Sequence, residues 1–234
     1  MAMKTKIIYE DDDLIVCHKP AWLATQSSRA YEADVVSECK NHIASEQRGK
    51  NPYLGVVHRL DQPVEGLLVF AKTKEAAAGL SAQLTEGSLN KKYRAVVRGI
   101  PKEPEKALVD FMRKDAASSK AVVADQVLRE LPDEAGRRGN ANDWKRAELT
   151  YRVTETIADY VAGGKSYGPA AVLDVEIKTG RFHQIRAQLS HMGHPIIGDT
   201  KYGNVDNRAP KLQLCAYSLT IVHPRTKEPK TFII

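Results

Sequence analysis

Apolar positions fall in short runs separated by charged or glycine-containing breaks, and these runs define the elements. Ile7-Ile8-Tyr9 and Leu14-Ile15-Val16-Cys17 read as two strands, with Glu10-Asp11-Asp12-Asp13 between them as a hairpin turn. Helical spacing first shows after Asp34, a capping side chain: Val35, Val36, Cys39 and Ile43 fall on one face. A second helix is predicted over 74–86, with Ala77, Leu80 and Leu84 inward and Gly87 as its stop. Further strands are predicted at 91–97 (ending at Gly99), 107–112, 121–124, 146–153, 170–177 and 212–222. Between the last two, Ile185, Leu189 and Met192 make the apolar stripe of one more helix, while His183, Arg186 and Ser190 share a different face. Strands outnumber helices and no steady β-α alternation runs through them. The pattern predicts an α+β fold around a mixed, largely antiparallel sheet. No repeat or shift of composition divides the chain, so a single domain over 1–234 is expected, with a Gly-, Asn- and charge-rich loop over 133–143.

Composition narrows the class. The chain has 234 residues, enough for a sizeable core, and a formal charge of +6, which points to an anionic partner, nucleic acid first. Three widely spaced cysteines (Cys17, Cys39, Cys215), odd in number and without a Cys-x-x-Cys pair, read as reduced and mostly buried thiols of a cytoplasmic protein. No apolar segment follows the first residues and no long apolar stretch occurs elsewhere, so neither export nor a membrane span is expected.

Two segments carry candidate chemistry. His58-Arg59-Leu60-Asp61 stands between Gly55-Val56-Val57 and the apolar run 67–71, a polar corner that presents one carboxylate where a loop meets a sheet. Structure alone rarely calls for His, Arg and Asp packed together there. Alternation places Arg59 and Asp61 on one side of an extended segment. The second segment is Thr179-Gly180-Arg181-Phe182-His183-Gln184-Ile185-Arg186, continuing through His191-Met192-Gly193-His194-Pro195 to Gly198-Asp199. A helix anchored by its apolar stripe holds Arg186 rigidly toward a neighbouring site. The acidic tetrad invites a metal reading, but adjacent carboxylates at a turn are usually just solvated. A metal hydrolase using His183, His191 and His194 fails on spacing, since His191 follows His183 by two turns and His194 lies past Gly193. A hydrolase triad fails as well: Cys17 and His18 are strand neighbours that point opposite ways, and no Gly-x-Ser-x-Gly elbow is present.

Taken together, His-Arg-Leu-Asp with Gly-Leu-Leu behind it, the Lys-x-Tyr-x-Ala strand, Gly-Arg-x-His-Gln-Ile-Arg and Gly-His-Pro-x-x-Gly-Asp resemble the RluA-type RNA pseudouridine synthases in order and approximate spacing. The opening Asp-Leu-Ile-Val-Cys-His-Lys-Pro resembles that family's first strand, and the likeness runs from about residue 7 to residue 223. The resemblance implies the pseudouridine synthase fold and the isomerisation of uridine in ribosomal or transfer RNA without metal or organic cofactor. It puts Asp61 in the place of the catalytic aspartate, a carboxylate able to act as a nucleophile on the base or on ribose C1′. Arg186 takes the place of the arginine that pairs with that aspartate, and Tyr93 that of a tyrosine able to stack on uracil and relay the proton from C5. Arg59 is expected to fill the place of the flipped base or to grip its phosphate, and His58 to fix the loop beside the substrate. By the same resemblance Leu214 (or Leu212) is expected to pack under the uracil. Lys91, Lys92, Arg94, Arg98, Arg181 and Lys201 are candidates for phosphate contact, and His183 for the substrate-binding set.

The chain departs from the pattern at Cys215, where the family commonly has His. It departs again at Trp22, where a glycine usually follows Lys-Pro-Ala. A bulky ring there either reshapes a loop near the substrate or sits on the surface. The family's N-terminal S4-type module is expected to be absent, because the chain opens on the catalytic strand, and a monomer is expected. The alternative is a non-catalytic RNA-binding protein that kept the fold.

Overall fold

Asp11 explains why the first two runs fold as a hairpin. Its Oδ1 accepts from the backbone N–H groups of Asp13 and Leu14, both at 2.8 Å, so the acidic tetrad turns on itself instead of extending either strand. The computed structural model describes residues 3–29, 32–46, 51–125, 143–203 and 211–234. In chain order the elements open with β1 (Lys6–Glu10), β2 (Leu14–Lys19), α1 (Val35–Glu46), β3 (Gly55–Val56), β4 (Glu65–Ala71), α2 (Lys74–Glu86) and β5 (Asn90–Arg98). There follow β6 (Glu105–Asp115), β7 (Lys120–Ala124), β8 (Lys145–Ile157), the ribbon β9 (Val161–Ala162) and β10 (Lys165–Ser166), and β11 (Ala170–Ile177). Last come α3 (Gln184–His191), β12 (Leu214–Val222) and β13 (Pro229–Ile233). Pairing is parallel where β4 meets β12 and antiparallel in β1–β2, β2–β4, β6–β7, β6–β8, β8–β11 and β12–β13. This is the mixed, mostly antiparallel α+β fold that the strand pattern predicts.

The chain forms two compact units, Met1–Lys92 with Cys215–Ile234, and Tyr93–Leu214. In the first, Leu14, Val16, Leu67, Val69, Leu219 and Ile221 of the strands close over Ala76 and Leu80 of α2. Thr73 caps α2 by accepting from the Ala76 N–H, and Gly87 ends it at φ +78°. One expectation is corrected here: Leu84 is exposed, and the inward stripe is Ala76 and Leu80 with Ala77 at its edge. A turn further on, the amide of Gln83 takes the packing position, exchanging two hydrogen bonds with the backbone of Val222. Val35, Val36, Cys39 and Ile43 of α1 are all buried, and Asp34 caps the helix by accepting from Ser37 N–H at 2.6 Å. The three cysteines are free thiols.

In the second unit β8 lies between β6 and β11, β7 extends the β6 edge, and Ala187 of α3 packs with Met112, Ala121 and Ala147. Here α3 departs from the amphipathic reading. Residues Gln184 to Leu189 are all buried, polar ones included, while Met192 is only half-buried at the helix end. Apart from Asp143, the loop expected over 133–143 lies outside the described residues.

Candidate active site

The Asp61 corner is built by backbone constraint. β3 pairs with the far end of β4 (Val56 with Phe70), so 57–64 must return along the sheet to re-enter β4 at Glu65. A turn closes that path, with Val64 N–H donating to Asp61 C=O at 3.0 Å. At the strand entrance Gly66 has φ +143°, and an added β-carbon would lie 2.5 Å from the backbone oxygen of Ala216, its parallel partner in β12. Only glycine lets the two backbones approach so closely.

Three buried side chains fix the corner from beneath. Lys19, fully buried, donates from Nζ to the carbonyls of Pro20 (3.1 Å), Leu23 (2.6 Å) and Gln62 (2.9 Å). Burial pulls its ammonium down to about 8, and the carboxylates of Asp61 and Glu65 oppose that pull. Thr25 Oγ1 both donates to Leu60 C=O and accepts from Leu60 N–H. His58 is buried and its Nε2 accepts from Val69 N–H at 3.1 Å, which fixes the ring as a neutral acceptor. Burial first, and then the charge of Lys91, push its pKa down to about 3. Between these anchors Arg59 is exposed and Asp61 half-buried.

The second unit holds a different kind of centre. Arg186, 3% exposed on α3, meets Asp199 in a two-pronged ion pair, Nε to Oδ2 at 2.7 Å and Nη2 to Oδ1 at 2.9 Å. Burial drives the Asp199 carboxyl up, but Arg186 and the N–H groups of Lys201 and Tyr202 outweigh it and hold the group below its ordinary value. The Arg186 guanidinium also lies 5.3 Å from the centre of the Tyr202 ring. The Tyr202 hydroxyl bonds His183 Nδ1 at 2.9 Å. His183 occupies the α3 cap position at φ +54°, buried against Phe182.

The predicted site residues thus separate by unit. His58, Arg59 and Asp61 share one corner of the first, which Lys92 also belongs to; Arg186 and His183 share the cluster around Tyr202 in the second. Within that second unit Tyr93 and Leu214 are buried strand residues, and Arg181 is exposed with Nε bound to Arg146 C=O. Sequence reasoning missed Lys19, Thr25, Asp199 and Tyr202. A signal existed for two of them: Lys19 in the Lys-Pro pair and Asp199 closing Gly-His-Pro-x-x-Gly-Asp.

The histidines of the metal reading find separate partners: Tyr202 for His183, Asp125 for His191 and the Arg98 carbonyl for His194. Asp11, Asp13 and His223 do place ligand-type atoms within 4.8 Å of one another. There Arg225 pairs with Asp13, while His223 and the Tyr9 hydroxyl bond Asp11, so these protein groups already engage both carboxylates.

Similarity to known proteins accords with this geometry. The family described as RNA pseudouridylate synthase matches residues 13–191. The chain is 32% identical to the ribosomal large subunit pseudouridine synthase D of Zymomonas mobilis, over 85% of this chain and 56% of that protein, so it spans just over half that relative's length. It is also 32% identical to the dual-specificity RNA pseudouridine synthase RluA of Escherichia coli, over 97% of this chain and 90% of the relative. Among solved structures, human RNA pseudouridylate synthase domain containing 1 shares the fold, with a TM-score of 0.75 at 20% identity, covering 99% of this chain and 83% of that one. With most of its length matched and its motif residues built into ordered corners, the chain belongs to the RluA-type branch of the RNA pseudouridylate synthase family.

Proposed function

We propose that the protein isomerises specific uridines of ribosomal or transfer RNA to pseudouridine, with Asp61 as its reactive carboxylate. The observation that carries this reading is the corner itself: a half-buried carboxylate on a turn immobilised by Lys19, Thr25, His58 and Gly66, inside the segment that matches the family. A nucleophile held so rigidly loses little freedom on reaching its transition state. The glycosidic bond breaks, the uracil turns, and C5 joins ribose C1′ as its proton leaves. Asp61 forms the transient covalent bond, and Tyr93 stacks on the ring and relays the proton. Arg186 supplies a constant positive charge to the reaction. Leu214 packs under the uracil. Arg59, Arg181, His183 and Lys92 bind the RNA around it, with His58 holding the corner.

The names of the relatives, ribosomal large subunit pseudouridine synthase D and tRNA pseudouridine synthase C, point to large-subunit ribosomal RNA and to transfer RNA as the substrate classes. The protein acts as a monomer in the cytoplasm, as a single catalytic domain, and needs neither metal nor organic cofactor. No helix among the described residues is long and apolar enough to cross a membrane. The test is nucleoside chromatography of unmodified ribosomal and transfer RNA transcripts after incubation with the protein. Pseudouridine at a defined site is the expected result. Tight binding without any pseudouridine identifies a non-catalytic RNA-binding protein instead.

A further inference from the structure

Trp22 lies in the loop that Lys19 ties to the Asp61 corner. Its backbone has φ +67°, a left-handed conformation in which a β-carbon crowds the following carbonyl, so that glycine, not a large residue, is suited to it. Its side chain is 56% exposed. Among the described residues the indole N–H makes no hydrogen bond and the ring has no aromatic or cationic neighbour; only the Trp22 carbonyl is engaged, by Gln62 Nε2 at 3.4 Å. No hydrogen bond or ring contact of the indole among the described residues accounts for that conformation, yet its backbone is placed firmly. Lys19 Nζ bonds Leu23 C=O on one side and Gln62 C=O on the other, joining the residue after Trp22 to the residue after Asp61.

We propose that Trp22 is a stacking platform for an unpaired RNA base beside the target uridine. This rests on the isomerase reading, since it takes the Asp61 corner as the place where the target nucleotide is handled. Flipping a nucleotide out of its stack strips a neighbouring base of its partner, and an exposed flat ring on the loop tied to the Asp61 turn offers that base a replacement. Arg59, exposed on the same corner, supplies charge for the adjoining phosphate. Trp22 would then set which flanking nucleotides are accepted without touching the reacting atoms.

The test compares wild type, Trp22→Phe and Trp22→Gly on unmodified ribosomal and transfer RNA transcripts. Trp22→Gly is expected to raise KM about tenfold, with kcat changing far less, as loss of one base stack predicts. Its thermal melting, read alongside, separates lost binding from lost folding. Trp22→Phe, which keeps a ring, stays closer to wild type. The protein has two tryptophans and Trp144 is buried, so RNA is expected to quench the Trp22 emission of an Asp61→Asn protein and not that of an Asp61→Asn, Trp22→Phe protein. A wild-type KM in Trp22→Gly, or no quenching at saturating RNA, overturns the inference. If wild type isomerises no transcript, the isomerase reading falls, and quenching alone then decides whether Trp22 stacks on RNA.

Discussion

The Asp61 corner and the Arg186 cluster hold their charged groups by opposite means. At the corner the charged side chain is left half-exposed and the backbone beneath it is fixed, by a lysine on three carbonyls, a threonine clasping Leu60 and a glycine pressed against β12. In the cluster the charge itself is locked: Arg186 is buried and gripped by both oxygens of Asp199. A group that must form and break a bond needs an immobile backbone and a reachable head. A group whose task is to remain charged is served by a permanent counter-charge, which also offsets the cost of burying it. On the proposed roles of Asp61 and Arg186, reactivity and permanence call for different supports, and the two regions supply one each.

Substitutions that exchange these supports sharpen the contrast. Asp199→Asn leaves a buried guanidinium short of its partner and is expected to cost about 3–5 kcal/mol, read by denaturant unfolding. Replacing both partners with Arg186→Met and Asp199→Leu recovers much of that stability but not activity, whereas full activity in the double variant would break the distinction. Gly66→Ala at the corner forces a β-carbon onto Ala216, with an expected loss of about 3 kcal/mol and a matching fall in activity. Smallest per pH unit is the effect of titrating His58. His58 has a folded pKa of about 3 against 6.5 when unfolded, so the unfolded chain binds its proton first. Its contribution is complete above pH 6.5 and is lost as the pH falls toward 3, by about 1.4 kcal/mol per unit. His58→Gln, which keeps an acceptor for Val69 N–H, is expected to flatten the stability profile over that window; an unchanged slope assigns the acid sensitivity to other groups.

Much of this was legible in the sequence because its signals are local. The acidic turn, the Asp34 cap, Gly87 and the alternation of 170–177 each act within a few residues of where they stand. What escaped depends on partners far along the chain. Ile185, Leu189 and Met192 read as the buried stripe of α3, yet Gln184, Arg186 and Gln188 are buried as well, because Glu148, Asp199 and Asp110 meet them from elsewhere in the chain. Leu84 reads as core by period, but Gln83 reaches Val222 from 139 residues away and takes the packing position. β13 was missed because only its pairing with β12 makes a strand of Pro-Lys-Thr-Phe-Ile. In the site, motif letters marked Lys19 and Asp199, but only coordinates show that one holds the turn and the other the arginine. The family glycine before Leu23 also gains a physical cause: the position is left-handed, and Trp22 occupies it against preference.

The central claim is that the carboxylate of Asp61 reacts. Release of tritium from RNA labelled at uridine C5 tests it most directly, with wild-type and Asp61→Asn proteins side by side and folding of both checked by thermal melting. The account predicts release by wild type and none by an Asp61→Asn protein that still melts cooperatively and binds the same RNA. Equal release by both proteins would contradict it.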